Sequence, residues 1–137
     1  MATRFIKIAV LYLVVGVSFG LYMGMTTKFT LTPVHAHLNL LGWASLALCG
    51  LVYHAYPAAA ETRLARIHFW LHNVGLPPLL LSLALMLSGN AAFEPAVGIF
   101  SIVVALGILL FAINVWLAVQ PASSPAAAVR PTAVAAR

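Results

Sequence analysis

The chain has 137 residues, 64% hydrophobic and only 7% charged, with seven basic and two acidic residues and a formal net charge of +5. Soluble domains carry about 25% charged residues, so a mean hydropathy of +1.06 excludes a soluble domain and makes the lipid bilayer its surroundings. The basic residues flank the apolar runs and form no stripe, which excludes nucleic acid as a partner and supplies topology signals. Cys49 is the only cysteine, so an intrachain disulfide and a cysteine metal knuckle are also excluded. Between Leu48 and Gly50 it reads as a small buried thiol.

The first apolar run, residues 6–25, follows Arg4 and Lys7. At about 20 residues it can cross a hydrocarbon core about 30 Å thick. It exceeds the roughly 7 to 15 residues of a signal-peptide core and has no small-x-small cleavage site, so it reads as a spanning helix. Gly16, Gly20 and Gly24 are four apart and share one face, where a neighbouring helix can approach closely. A loop carrying Lys28 follows, and Thr32 as N-cap with Pro33 in the first turn opens a second helix over 34–56. Pro57 ends it, and the next loop carries Glu61 and Arg63.

A third helix covers 64–88 and is interrupted at Pro77-Pro78. Neither proline has an N–H, so the carbonyls of Asn73 and Val74 lose their helical partners and a kink facing protein is predicted. Gly89-Asn90 marks a turn, and Glu94-Pro95 precedes a fourth helix over 96–119 that Gln120-Pro121 stops. The Ala/Pro/Ser-rich residues 121–137 have no apolar period and are expected to be a disordered tail. The predicted fold is an all-α membrane protein: a single domain, residues 1–120, of four transmembrane helices in an up-down bundle. Arg4, Lys7, Arg63, Arg66, Arg130 and Arg137 then lie on one side and Lys28 alone on the other, which puts both termini in the cytoplasm.

Ionisable side chains inside a bilayer are costly and mark functional sites. His35, His37 and Asn39 lie at the outer end of the second helix. Two residues correspond to about 200° of rotation, so the two histidines face opposite ways and serve different sites. His68 and His72 are four apart on one face, the spacing at which two imidazoles can chelate an ion. At the depth of His35 and His37 lie Met23, Met25 and Met86, and His and Met both ligate haem iron and reduced copper. His37 and His72 are separated by very roughly 13 Å along the membrane normal, too far to sandwich one haem within the chain. Plainer roles exist for several of these. The methionines suit apolar filling, and His68 beside Arg66 suits a solvated boundary. His72 could bond the carbonyls freed by the prolines, and His54 with Tyr53, Tyr56 and Trp70 suits an interfacial aromatic belt.

The run from Thr32 to Tyr56, with His35-Ala36-His37, Leu41-Gly42-Trp43 and Gly50-Leu51-Val52-Tyr53, resembles the His-x-His helix of the haem-copper oxidase catalytic subunit (cytochrome c oxidase subunit I). The cbb3-type oxidases and the nitric oxide reductases are the nearest branches. The run Leu64-Ala65-Arg66-Ile67-His68-Phe69-Trp70-Leu71, with Gly75, is similar to the start of the next helix of that subunit, so the resemblance covers residues 32–90. It implies that His35 ligates a high-spin haem and His37 a low-spin haem. It also implies b-type haem (heme b), a role in respiratory electron transfer or haem handling, and a place in the bacterial inner membrane, as a homo-oligomer or with a respiratory complex. The family's copper ligands, cross-linked tyrosine and second low-spin ligand come from helices outside the matched stretch, so a complete oxidase built from this chain alone is not expected. Two alternatives use the same residues: a copper-binding or copper-delivery protein, and a structural accessory subunit of a terminal oxidase.

Overall fold

A computed structural model describes residues 1–119, which are helical apart from turns and short connections. Four helices are long and apolar enough to cross a membrane: Ala2–Thr26, Thr32–Ala55, Arg63–Leu87 and Ala91–Ala118, here spans 1 to 4. Each starts one to five residues before its apolar run, because hydropathy marks the hydrocarbon-facing stretch while the helix continues into the flanking residues. A four-residue helix, Pro57–Ala60, sits between spans 2 and 3. The tail expected over 121–137 lies outside the described residues.

The span ends show which local signals act. Span 1 stops where Thr27 turns left-handed at φ 53°. Thr32 is not the cap of span 2: the helix already includes it, and its hydroxyl donates to the Phe29 carbonyl at 2.7 Å. That bond ties the preceding loop together and leaves the hydroxyl oxygen off the helix N–H groups. Thr62 is a true cap, its hydroxyl oxygen accepting from the Ala65 N–H at 3.0 Å. Span 3 closes at the expected Gly89-Asn90. The Asn90 N–H reaches back to the Leu85 carbonyl and the Gly89 N–H to Met86, with Gly89 at φ 103°, a region glycine enters without penalty.

Two departures concern helix interiors. Span 3 is not interrupted at Pro77-Pro78 but runs as one helix from Arg63 to Leu87. Proline's fixed φ near −65° is helical, so the pair removes two hydrogen bonds without ending the helix. Span 2, in contrast, widens into a π-helix from Leu38 to Ser45, with α-helix on either side. The altered bonding lets side chains reach carbonyls inside the span. Ser45 donates to the Leu40 carbonyl at 2.7 Å, and His72 of span 3 meets the Leu41 carbonyl at 3.0 Å.

Lipid is as apolar as a side-chain core, so helices associate through close contact and polar pairs. Glycines supply the close contact. A Cβ at Gly16 would come within 2.8 Å of the Asn39 amide, at Gly20 within 2.6 Å of the His35 ring, at Gly42 within 2.5 Å of Tyr12, and at Gly50 within 2.7 Å of Ile6. These pairs join spans 1 and 2 over most of their length. Gly75 against Val103, and Gly107 against the His72 backbone, do the same for spans 3 and 4. Gly24, on the same predicted face as Gly16 and Gly20, has nothing within 4 Å. The buried side chains form two clusters, one around Phe5, Leu46, Cys49 and Tyr53 and the other around Val34, Leu76, Leu79 and Val104. Leu11, Val14, Leu109 and Trp116 are among many large apolar side chains left on the outside, as a lipid-facing surface requires.

Candidate functional site

His35 and His37 face opposite ways, as two positions along a helix demand. The His35 ring lies over Gly20, half-buried between spans 1 and 2, with the Phe19 ring 6.5 Å away. One turn on, Asn39 lies over Gly16 and donates its amide to the His35 carbonyl at 2.9 Å. The same amide reaches His35 Nδ1 at 3.4 Å. The His35 and Asn39 side chains therefore fill the notches that the two glycines leave in span 1.

His37 points away from span 1. Its ring Nδ1 lies 2.7 Å from the Pro33 carbonyl. A carbonyl only accepts, so Nδ1 carries the proton and Nε2 is left as a bare lone pair. The ring borders a groove of about 200 Å³ walled by Leu41, Leu79, Ser101, Val104, Ala105 and Ile108, from spans 2, 3 and 4. A second shallow groove of about 190 Å³, lined by Ala36, Leu40 and Leu41, flanks it.

The methionines do not gather around either histidine. Met23 is 5% exposed and lines a separate cavity of about 350 Å³ with Phe19, Tyr22, Lys28 and Leu87. Met25 is 77% exposed. Met86 packs against the cluster that contains Val34 and Leu83. Among the described residues, no three or more His, Cys, Asp or Glu side chains converge on a point that could hold a metal ion.

These positions bear on whether a haem fits. The Cε1 edge of the His35 ring, between its two nitrogens, is turned onto Gly20 of span 1, so its nitrogens face the neighbouring helix and not an open groove. His37 does border a groove, an apolar one, with Nδ1 anchored and Nε2 bare. Small-molecule pockets run to roughly 300–1,000 Å³, so a groove of about 200 Å³ covers only part of a macrocycle. The groove is walled on one side by spans 2, 3 and 4, with His37 at its edge.

A second polar cluster lies deeper and was only partly legible. His68 and His72 are both 0% exposed, so His68 is a core residue and not a solvated boundary one. His72 bonds the Leu41 carbonyl of span 2, not the carbonyls that Pro77 and Pro78 release in its own helix. The Tyr53 hydroxyl is 3.1 Å from His68 Nδ1, which takes Tyr53 out of the aromatic belt and into the core. His54, Tyr56 and Trp70 are exposed. Asn114 of span 4 donates to the Ala59 carbonyl at 2.8 Å and to the Tyr53 oxygen at 3.5 Å, and accepts from the Thr62 hydroxyl at 2.7 Å. Asn114 had a signal in the sequence: it is the lone amide in an otherwise apolar helix, and such a group must find partners within the protein. Its partners lie 52 to 61 positions away, beyond what spacing can reveal.

Compared with protein-family models, curated proteins and solved structures, the chain matches none.

Proposed function

We propose that this chain is a multi-pass protein of the bacterial cytoplasmic membrane that holds a b-type haem through His37, in respiratory electron transfer or haem handling. The observation that carries the reading is the 2.7 Å bond from His37 Nδ1 to the Pro33 carbonyl. Haem- and metal-ligating imidazoles have their other N–H fixed in this way, which sets the tautomer and raises the basicity of the ligating nitrogen. Pro33 suits the task because the proline holds the first turn of span 2 in helical geometry. When bound, the haem supplies one-electron redox chemistry. The chain's part is to orient Nε2, exclude water along the Leu79–Val104 wall and hold the ring at a fixed depth.

The second axial ligand comes from outside the chain, either another copy or a respiratory partner, since Met23, Met25 and Met86 line no groove with His37. In this reading the four spans form an up-down bundle with both termini cytoplasmic. The antiparallel packing of spans 1 and 2 supports the first turn of that bundle, since Tyr12, Gly16 and Gly20 meet Gly42, Asn39 and His35 in reverse sequence order; the cytoplasmic termini rest on the placement of the basic residues. His35 and Asn39 serve to seat span 1 on span 2. The test is the optical spectrum of protein purified in mild detergent from haem-replete cells. A Soret band with sharp reduced α and β bands is expected in the wild type and in His35→Ala, and is expected to be lost in His37→Ala with helicity retained. A haem spectrum unchanged in His37→Ala would remove His37 from the site.

A further inference from the structure

We infer that His68 and His72 form a two-coordinate site for monovalent copper in the middle of the bundle, separate from His37 and its groove. The two rings are fully buried, with centroids 5.6 Å apart and planes at 69°. Each has one nitrogen engaged and one without any partner: His68 Nε2 and His72 Nδ1 are both buried and unbonded. Leaving two such atoms empty in a packed interior is costly.

Their hydrogen-bond partners decide what the empty nitrogens can do. The Leu41 carbonyl can only accept, so His72 Nε2 carries the proton and Nδ1 is a bare lone pair. The Tyr53 hydroxyl can act in either direction, and in the tautomer in which its oxygen accepts from His68 Nδ1–H, the one copper binding requires, His68 Nε2 is bare as well. Two bare nitrogens on one helix face, each backed by an acceptor on its other side, make the arrangement of metal-ligating imidazoles.

The surroundings select the ion. Zinc and other divalent ions take four or more ligands, and no third His, Cys, Asp or Glu joins the pair among the described residues. Phe5, Phe111 and Tyr53 lie 5.1 to 6.0 Å from the His68 ring and bring no charge to offset a dication. Reduced copper carries a single charge, accepts two imidazoles in near-linear geometry and tolerates an apolar, aromatic cage. A proton relay fits less well. The series from Thr62 through Asn114 and Tyr53 stops at His68, which makes no hydrogen bond to His72, and the Leu41 carbonyl on His72 accepts a hydrogen bond but cannot pass a proton on.

The test uses the full-length protein in detergent under anaerobic, reducing conditions, titrated with Cu(I) against the chelator bicinchoninate and followed by copper analysis and X-ray absorption. One copper per chain with two nitrogen neighbours and no sulfur is expected. It should be lost in His68→Gln and in His72→Gln, and kept in His37→Ala and Cys49→Ser, so that a failed haem assignment leaves this one standing. Failure of the wild type to retain copper would overturn the assignment. So would copper retained in the double His68→Gln/His72→Gln variant. If the single variants do not fold, the wild-type absorption spectrum decides, and sulfur neighbours would contradict the two-histidine site.

Discussion

At the scale of single residues, several buried polar side chains in this membrane bundle are matched to specific partners across helices. Asn114 is the clearest case: its amide serves the Ala59 carbonyl and the Tyr53 oxygen, and its carbonyl takes the Thr62 hydroxyl. Asn114→Leu removes three bonds, but the Thr62 hydroxyl keeps the Ala59 carbonyl at 3.2 Å and the Tyr53 hydroxyl keeps His68 at 3.1 Å, so at a net of about 0.5–1.5 kcal/mol per bond detergent unfolding followed by circular dichroism should show a loss of about 1–3 kcal/mol. Thr62→Ala removes the cap of span 3 as well as the bond to Asn114, so it should cost about 1–2 kcal/mol in the same assay. Thr62→Ser should recover most of that loss. The sequence makes the histidines visible because ionisable groups are rare in apolar runs. It gives no sign of the Pro33 carbonyl or of the Leu41 carbonyl, since every residue carries one and only the fold decides which is within reach.

At the scale of elements, the glycine spacing in span 1 was legible as a contact face, but the length of that face was not. Gly16 and Gly20 receive Asn39 and His35, whereas Gly24 extends past the partner helix and touches nothing. Gly20→Ala drives a methyl into the His35 ring and Gly42→Ala drives one into Tyr12 close to its backbone, so each should destabilise by about 1–3 kcal/mol. Gly24→Ala should be neutral or slightly stabilising, because alanine favours the helix by about 0.8–1.0 kcal/mol over glycine. Equal losses at Gly20 and Gly24 would argue against this seating of span 1. The π segment Leu38–Ser45 was not readable from composition. Leu-Asn-Leu-Leu-Gly-Trp carries ordinary helical residues, and the widening is tied to contacts from outside it: His72 on the Leu41 carbonyl and the Tyr12 ring on Gly42. The continuous span 3 makes the complementary point, since two adjacent prolines mark lost bonds more reliably than they mark a break.

At the scale of the molecule, four apolar helices were evident from hydropathy alone, and the exposed apolar faces of spans 1 and 4 agree with a lipid environment. Orientation is testable because the chain has a single cysteine. In a Cys49→Ser background, Lys28→Cys should react with an impermeant maleimide added to intact spheroplasts, and Glu61→Cys should react only after lysis; the reverse pattern would invert the proposed topology. The groove beside His37 is only part-covered by this chain, and in the proposed reading His37 supplies one ligand and the groove one wall. The most direct measurement is chemical rescue of His37→Gly. Membranes carrying that variant should lack the b-type spectrum and regain it in a saturable manner when free imidazole is added, with no such response in His35→Gly. A full haem spectrum in His37→Gly without imidazole would contradict the assignment of His37 as the ligand.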